Sequence, residues 1–388
     1  MCKNKNEYTI EIIGGISNVS ASQWNSCAGK ENPFVSFEFL SALEDSGSVS
    51  AETGWLPQHI LIKDNKGLVV AAAPAYIKSH SYGEYVFDWG WADAFERAGG
   101  KYYPKLQVAV PFSPVTGPRL LIRPGGNADE LFTVCTKALK GLAHSRGASS
   151  IHITFCTSGE SQVLDLKGFL KRTGAQFHWH NQGYTNFDDF LAVLNSRKRK
   201  TIRKERLLAN SEVSFQVLSG VELKKEHMDS FYGFYLNTVD RKWAHAYLKP
   251  QFFSMLRDRM SEKIVLIFAK HDGEAVGAAL NILGTDTLYG RNWGCTERYK
   301  MLYFEACFYR AIEFAIENKL KKVEAGAQGP HKISRGYLPT ETYSAHWIEN
   351  PNLRDAVASF LTKERRQNKF DIEYLKNKMS PYRKNEEK

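Results

Sequence analysis

The densest run of chemistry-bearing side chains is Ser196–Arg206, SRKRKTIRKER. Arg197, Lys198, Arg199, Lys200, Arg203, Lys204 and Arg206 are basic, and only Glu205 opposes them. At about 100° per residue, all but Lys198 fall on one half of a helix. Ile202 falls on the other half, near where Phe190, Leu191 and Leu194 project if the helix is continuous. The spacing predicts an anchored helix with a cationic face. Guanidinium forks match phosphate oxygens, and several cations together give a strong, salt-sensitive field. A charge run is ordinarily a solvated helix face, but this one repels itself unless an anion joins it. All seven bases are therefore assigned to a phosphate or polyanion site.

A second concentration is Glu324–Trp347, EAGAQGPHKISRGYLPTETYSAHW. It follows an expected strand and holds Gly326, Gly329 and Gly336. A glycine-rich strand exit lets backbone N–H groups approach a ligand. Gln328, His331, Lys332 and Arg335 crowd the same segment, denser than an ordinary polar loop. His331 and Lys332 suit catalysis, and Gln328 and Arg335 suit substrate binding. Glu305, inside the apolar LYFEACFY, is expected to have a raised pKa and to act as a general base, unless a cation pairs with it. Substrate-binding roles are also assigned to Trp89 and Trp91 in FDWGW, to Arg119 closing the stiff loop PFSPVTGPR, and to Arg291 and Trp293. For at least one of the two tryptophans the core is the favoured role. His178 and His180 share a strand face, but no third ligand has metal spacing, so no metal is expected. The sequence contains no GxSxG elbow, HExxH, Walker A or GxGxxG pattern.

These groups need elements to position them. The 388 residues fit two domains, 1–185 and 186–388, the second opened by the basic helix and ending in a charged, frayed tail from about 365. Strands are expected at Tyr8–Ile13, Gln58–Lys63, Leu68–Lys78, Glu84–Trp89, Lys105–Val110, Arg119–Ile122, Ile151–Phe155 and Gln176–Trp179. Helices are expected at Phe34–Leu43, Ala92–Tyr103 and Ala128–Ser145. In the second half the expected order is strand Val213–Leu218, helices Lys224–Asn237 and Pro250–Met260, strands Ile264–His271, Glu274–Leu283 and Thr287–Trp293, helix Met301–Asn318, and strand Lys321–Ala325. Strand, strand, strand, helix, strand is thus spelled twice. The fold class is α/β, each half a mixed, mostly antiparallel sheet flanked by helices.

A formal net charge of +10 favours anionic partners. The six cysteines form no CxxC pair and read as buried thiols. The start, MCKNKNEYTIEII, lacks the apolar core of a signal peptide, and no window is long and apolar enough for a membrane span. The expected location is the cytoplasm.

Five segments, NPFVSFEFLSALE (32–44), DWGWADAF (88–95), VPFSPVTGPRLL (110–121), FHWHNQGYTNFDDFLAVLNSRKRKTIRKER (177–206) and GAQGPHKISRGYLPTETYSAHW (326–347), carry a resemblance that spans nearly the whole chain. The chain resembles the FemAB-like branch of the GNAT acyltransferase superfamily, in the family of predicted, peptidoglycan-biosynthesis-related N-acyltransferases. That resemblance implies tandem GNAT-like domains and transfer of an acyl group to an amine. Fem ligases are similar in carrying a TRxNIR-like segment after the first lobe; Arg199, Thr201, Ile202 and Arg203 occupy the comparable stretch. They use aminoacyl-tRNA as donor and a lipid- or nucleotide-linked muropeptide as acceptor. The resemblance implies no tightly bound cofactor, the acyl donor (aminoacyl-tRNA or acyl-CoA) being a co-substrate. The partners implied are a polyanionic substrate or tRNA and a small-molecule or peptide amine. The chain departs from some Fem enzymes in lacking a stretch for their long helical arm.

Two other readings stay open. One is an acyl-CoA-dependent N-acetyltransferase. GNAT enzymes hold pyrophosphate on a [Q/R]xxGx[G/A] turn, and Arg123–Ala128 (RPGGNA) fits that pattern, as does any Gly-rich turn before a helix. The other is a non-catalytic RNA-binding protein on a degenerate acyltransferase fold.

Overall fold

The computed structural model describes residues 7–241, 245–296, 299–326 and 329–383. Its contacts group into two compact units: Met1–Gly174 with Thr342–Asn368, and Ala175–Glu341 with Lys369–Lys388. The grouping differs from a single cut at 185/186, because residues 342–368 return to the first unit.

In the first unit, β1 (Thr9–Ile13), β3 (His59–Lys63), β4 (Val69–Ala73) and β7 (Leu121–Ile122) form an antiparallel sheet in the order β1-β3-β4-β7. A second sheet runs β2 (Trp55–Pro57), β5 (Ala75–Lys78), β6 (Lys105–Val108), β8 (Ser150–Cys156). Its β8 also pairs with Tyr343–Ile348 of β15 (Leu338–Ile348). β6 and β8 are parallel, and the other pairs are antiparallel. The expected strand Leu68–Lys78 is broken at Pro74: Pro donates no ladder hydrogen bond, and the pieces β4 and β5 join different sheets.

Strand alternation gives the second sheet two unlike faces. Leu106, Val108, Ile151 and Ile153 pack with Leu131, Cys135, Leu139 and Leu142 of helix Ala128–Ser145, which has the expected bounds. The opposite face carries Lys78, Lys105, Gln107, His152 and His346, all within 1% of complete burial. Burying such groups requires partners, and the segment expected as strand Glu84–Trp89 supplies them. Lys105 Nζ donates to Glu84 at 2.7 Å, to Asp88 at 2.5 Å and to Ser81 Oγ at 2.7 Å. The segment is irregular rather than a strand, and the helix after it spans Trp89–Arg97, ending earlier than expected.

In the second unit the order is β10 (Ser214–Ser219), β11 (Ile264–His271), β12 (Glu274–Leu283), β13 (Thr287–Cys295), β14 (Lys322–Glu324), and then the His178–His180 end of β9 (Leu170–His180). Only β13–β14 is parallel. Trp179, Phe190, Ile202, Leu288, Phe308 and Ile312 share the core beneath it. The tail expected to fray is helical: Pro351–Lys378 forms one 28-residue helix. Cys27, Cys135, Cys156, Cys295 and Cys307 are free thiols. No helix among the described residues is long and apolar enough to cross a membrane.

Candidate functional site

The second unit holds a site where its parallel pair ends. β13 and β14 stay in register through Leu288↔Val323 and Tyr289↔Glu324, and pairing stops there. On its other side β13 meets a register shift in β12 between Leu280 and Asn281. A bulge re-aims side chains and backbone. Beyond these two interruptions lies a pocket of about 80 Å³ lined by Asn281, Gly290, Arg291, Trp293, Tyr303, Cys307 and Ala325, among others. Arg291 and Trp293 thus line one pocket.

The pocket's helical wall is irregular too. Residues Glu305–Tyr309 form a π turn between Leu302–Phe304 and Arg310–Glu317. Met301, at the helix entry, has φ of 59°, a left-handed conformation that non-glycine residues avoid. Single π turns and such strained positions are frequent at functional sites.

The loop after β14 turns back beside this wall. Gly329 has φ of 107°, and a Cβ there would lie 2.5 Å from the His331 ring, so glycine is required. His331 is exposed, with its ring 6.1 Å from Tyr303 and 5.9 Å from Phe308, which both line the pocket. Partial burial, with the charges of Arg335 and Lys332, lowers its pKa, so the imidazole is neutral at pH 7 and can accept a proton. Lys332 is buried, and its Nζ donates to the carbonyls of Ala325 and Gly326 at 2.5 and 3.3 Å. Burial pulls its pKa down to about 8.

Glu305 is fully buried, but it is not the isolated carboxylate its apolar neighbours suggested. Arg206 Nε donates to both its oxygens at 3.2 Å, and Arg310 Nε lies 2.9 Å away. Two guanidinium groups hold its charge in place, which suits an anchor rather than a proton acceptor. Arg206 also bonds Glu313, so it is held inward and does not belong to the cationic face. Lys198 likewise turns inward, donating to Ser334 Oγ at 3.1 Å.

Helix Ser196–Asn210 is capped by Asn195, whose side chain accepts from Lys198 N, and anchored by the buried Ile202 and Ala209. Arg197, Lys200, Arg203 and Lys204 are exposed, and Arg199 is half-buried. Arg203 meets Asp188 at 3.0 Å in an exposed pair; the other four have no ion-pair partner among the described residues. The helix's single acid is engaged elsewhere: Arg335 Nη2 donates to both oxygens of Glu205 at 2.8 Å, and Tyr309 donates to Glu205 as well. Arg335 is buried, with its guanidinium 3.4 Å from the Phe304 ring centre, so it fastens the loop instead of reaching for substrate.

In the first unit, Arg119 is fully buried. It donates to the carbonyls of Thr154, Gly117, Pro118 and Val115, so it clamps its own loop and cannot bind substrate as expected. Trp91 is core, 5.0 Å from His346, whereas Trp89 is exposed. Gln328 lies outside the described residues. The turn at Arg123–Ala128 is a helix entry whose Asn127 side chain already accepts from Glu130 N. Asp129 and Glu130 in the first turn disfavour a pyrophosphate there. No group of three His, Cys, Asp or Glu side chains among the described residues is placed to hold a metal ion.

Sequence reasoning missed Asn281, Tyr303 and Cys307. The bulge that brings Asn281 to the pocket leaves no local signal, and Tyr303 and Cys307 read as apolar-face helix residues.

Comparison with known proteins agrees with this architecture. No curated protein matches the chain in sequence. Among solved structures, the crystal structure of FemX is similar, with a TM-score of 0.57 at 12% identity, covering 88% of this chain and 98% of that one. The C-terminal domain of a putative lysylphosphatidylglycerol synthetase from Agrobacterium fabrum aligns with a TM-score of 0.53 at 9% identity, covering 89% and 95%. L-PGS from Bacillus licheniformis gives 0.50 at 11% identity, covering 86% and 97%. At these identities the likeness is one of fold alone. The FemAB-like family, described as peptidoglycan biosynthesis/recognition, matches residues 15–384. Family membership supports acyl or aminoacyl transfer as the class of activity. Since that family match covers nearly its whole length, the chain belongs to the FemAB-like family.

Proposed function

We propose that the protein is an N-acyltransferase that moves an aminoacyl or acyl group from a polyanionic donor to an amine at the opening between β13 and β14. One observation carries this reading: the parallel pair separates at Gly290 into a pocket flanked by a buried lysine and a neutral histidine. Amine attack on an acyl carbonyl forms a tetrahedral oxyanion and releases a proton. The Lys332 ammonium has three N–H groups, of which Ala325 and Gly326 take two. The third stabilises the oxyanion. His331 accepts the amine proton as the C–N bond forms and returns it to the leaving oxygen of an aminoacyl ester, or the leaving sulfur of a thioester, as the acyl bond breaks.

Arg197, Arg199, Lys200, Arg203 and Lys204 bind the donor's phosphates. The salt-sensitive field of such a helix suits a tRNA better than a compact cofactor. The acidic first turn after Arg123–Ala128 supports the same choice over acyl-CoA. The family description favours an acceptor that is a cell-wall precursor amine.

The test supplies purified protein with charged tRNA pools or acyl-CoA pools and a panel of amine and peptide acceptors, and follows radiolabel into product. Transfer from charged tRNA is the expected result. RNA binding without transfer from either pool leaves only a binding protein on this fold.

A further inference from the structure

The second unit contains a much larger groove, of about 740 Å³, separate in its lining from the β13–β14 pocket. Its walls include His178 and His180 of β9, Gln182, Ala192 and Arg383. The volume is that of a small-molecule site.

Of the polar side chains that line it, Arg383, His180 and Gln182 are exposed. Arg383 is fixed by donation from its backbone N to Val193 O and from Nε to Leu194 O, at 3.0 and 3.2 Å. Its two terminal nitrogens have no hydrogen bond among the described residues. His180 and Gln182 have none either. His178 is 3% exposed; its Nε2 lies 3.3 Å from Gln176 Oε1, and its Nδ1 has no partner among the described residues.

Lys322, Lys332 and Lys376 act on the two imidazoles against Glu324, whose Oε2 lies 3.9 Å from His178 Nε2. Glu324 is itself tied to Lys322 at 2.7 Å. A held guanidinium with open terminal nitrogens, beside imidazole and amide groups, is the arrangement that grips a planar or tetrahedral oxyanion.

We propose that this groove is a second binding site, for a small organic molecule bearing a carboxylate or phosphate, with the anion on Arg383 and the remainder against His178, His180 and Gln182. It is independent of the transfer reaction, because none of these residues lines the β13–β14 pocket.

Calorimetric titration of the full chain with inorganic phosphate and, separately, succinate tests it. Saturable binding of at least one probe is expected, and which one binds identifies the anion. Arg383→Gln removes the guanidinium and is expected to weaken that binding about tenfold or more. Ala192→Trp, at an exposed lining position, fills the groove and is expected to abolish it. Both variants should unfold at the wild-type temperature. If neither probe saturates, or if binding survives in either variant, the proposal is wrong.

Discussion

Arg335 and Glu205 join the loop after β14 to the basic helix through one guanidinium nitrogen that donates to both carboxylate oxygens at 2.8 Å. Lys198 and Ser334 make a second link between the same elements. The helix's only acid therefore faces inward, and of its outward cations only Arg203 has an ion-pair partner among the described residues. The helix is thereby fastened to the loop that carries Lys332, three residues from Arg335.

Removing Glu205 leaves Arg335 buried without its anion. Glu205→Ala is expected to destabilise the fold by about 3 kcal/mol, because an orphaned buried charge costs more than the pair contributes. Urea unfolding measures this. Pairing Glu205→Leu with Arg335→Met is expected to recover part of the loss.

The outward cations behave differently. The triple change Lys200→Gln, Arg203→Gln, Lys204→Gln is expected to leave the unfolding midpoint nearly unchanged, since exposed charges contribute little to stability. Affinity for tRNA falls, and the slope of log affinity against log salt becomes shallower by about 2 units, as about 0.7 is lost per phosphate contact on single strands. Binding titrations at several salt concentrations measure the slope.

Much of this frame is legible in local pattern. Helices Ala128–Ser145 and Pro250–Met260 and strands Ile264–His271 and Glu274–Leu283 have the bounds their periodicity predicts. The basic helix is legible for the same reason. Its direction is not: Arg206 looks like one more surface cation until Glu305, about a hundred residues later, takes it inward. Glu305 looks isolated for the reciprocal reason. Arg119 and Trp91 fail similarly, since clamping a loop and lining a core use the same residue types as binding a ligand. The tail's charge hides a helix whose buried side is thin, with Leu353, Val357 and Leu361 at its start.

Lys332 titrates in an accessible range. Burial lowers its pKa to about 8, well below that of a free lysine. If its ammonium stabilises the oxyanion, kcat/KM falls as pH rises through about 8. Lys332→Arg moves that alkaline limb upward. For stability the sign is opposite: between about pH 8 and 10.5 the unfolded chain holds a proton that the folded chain has released, so this group's contribution rises with pH. Thermal unfolding across that window, in wild type and Lys332→Met, isolates it.

The first unit depends on its buried network. Lys105→Met leaves the Asp88 and Glu84 carboxylates buried without their shared cation, and is expected to cost about 3–5 kcal/mol. His152 adds an acid limit. Burial, reinforced by the charge of Lys105, lowers its pKa to about 3, so the folded chain keeps it neutral. The unfolded chain takes up a proton below about pH 6.5, so stability falls as pH drops from there toward 3. His152→Gln is expected to flatten that slope in acid unfolding curves.

The most direct test of the transfer reading is a single-turnover assay of Lys332→Met against wild type, with charged tRNA as donor and an amine acceptor that the wild type uses. The account predicts a drop of about a hundredfold or more in the rate of acyl transfer, the scale of losing one oxyanion donor, with tRNA affinity unchanged. Transfer at the wild-type rate in the variant would contradict it.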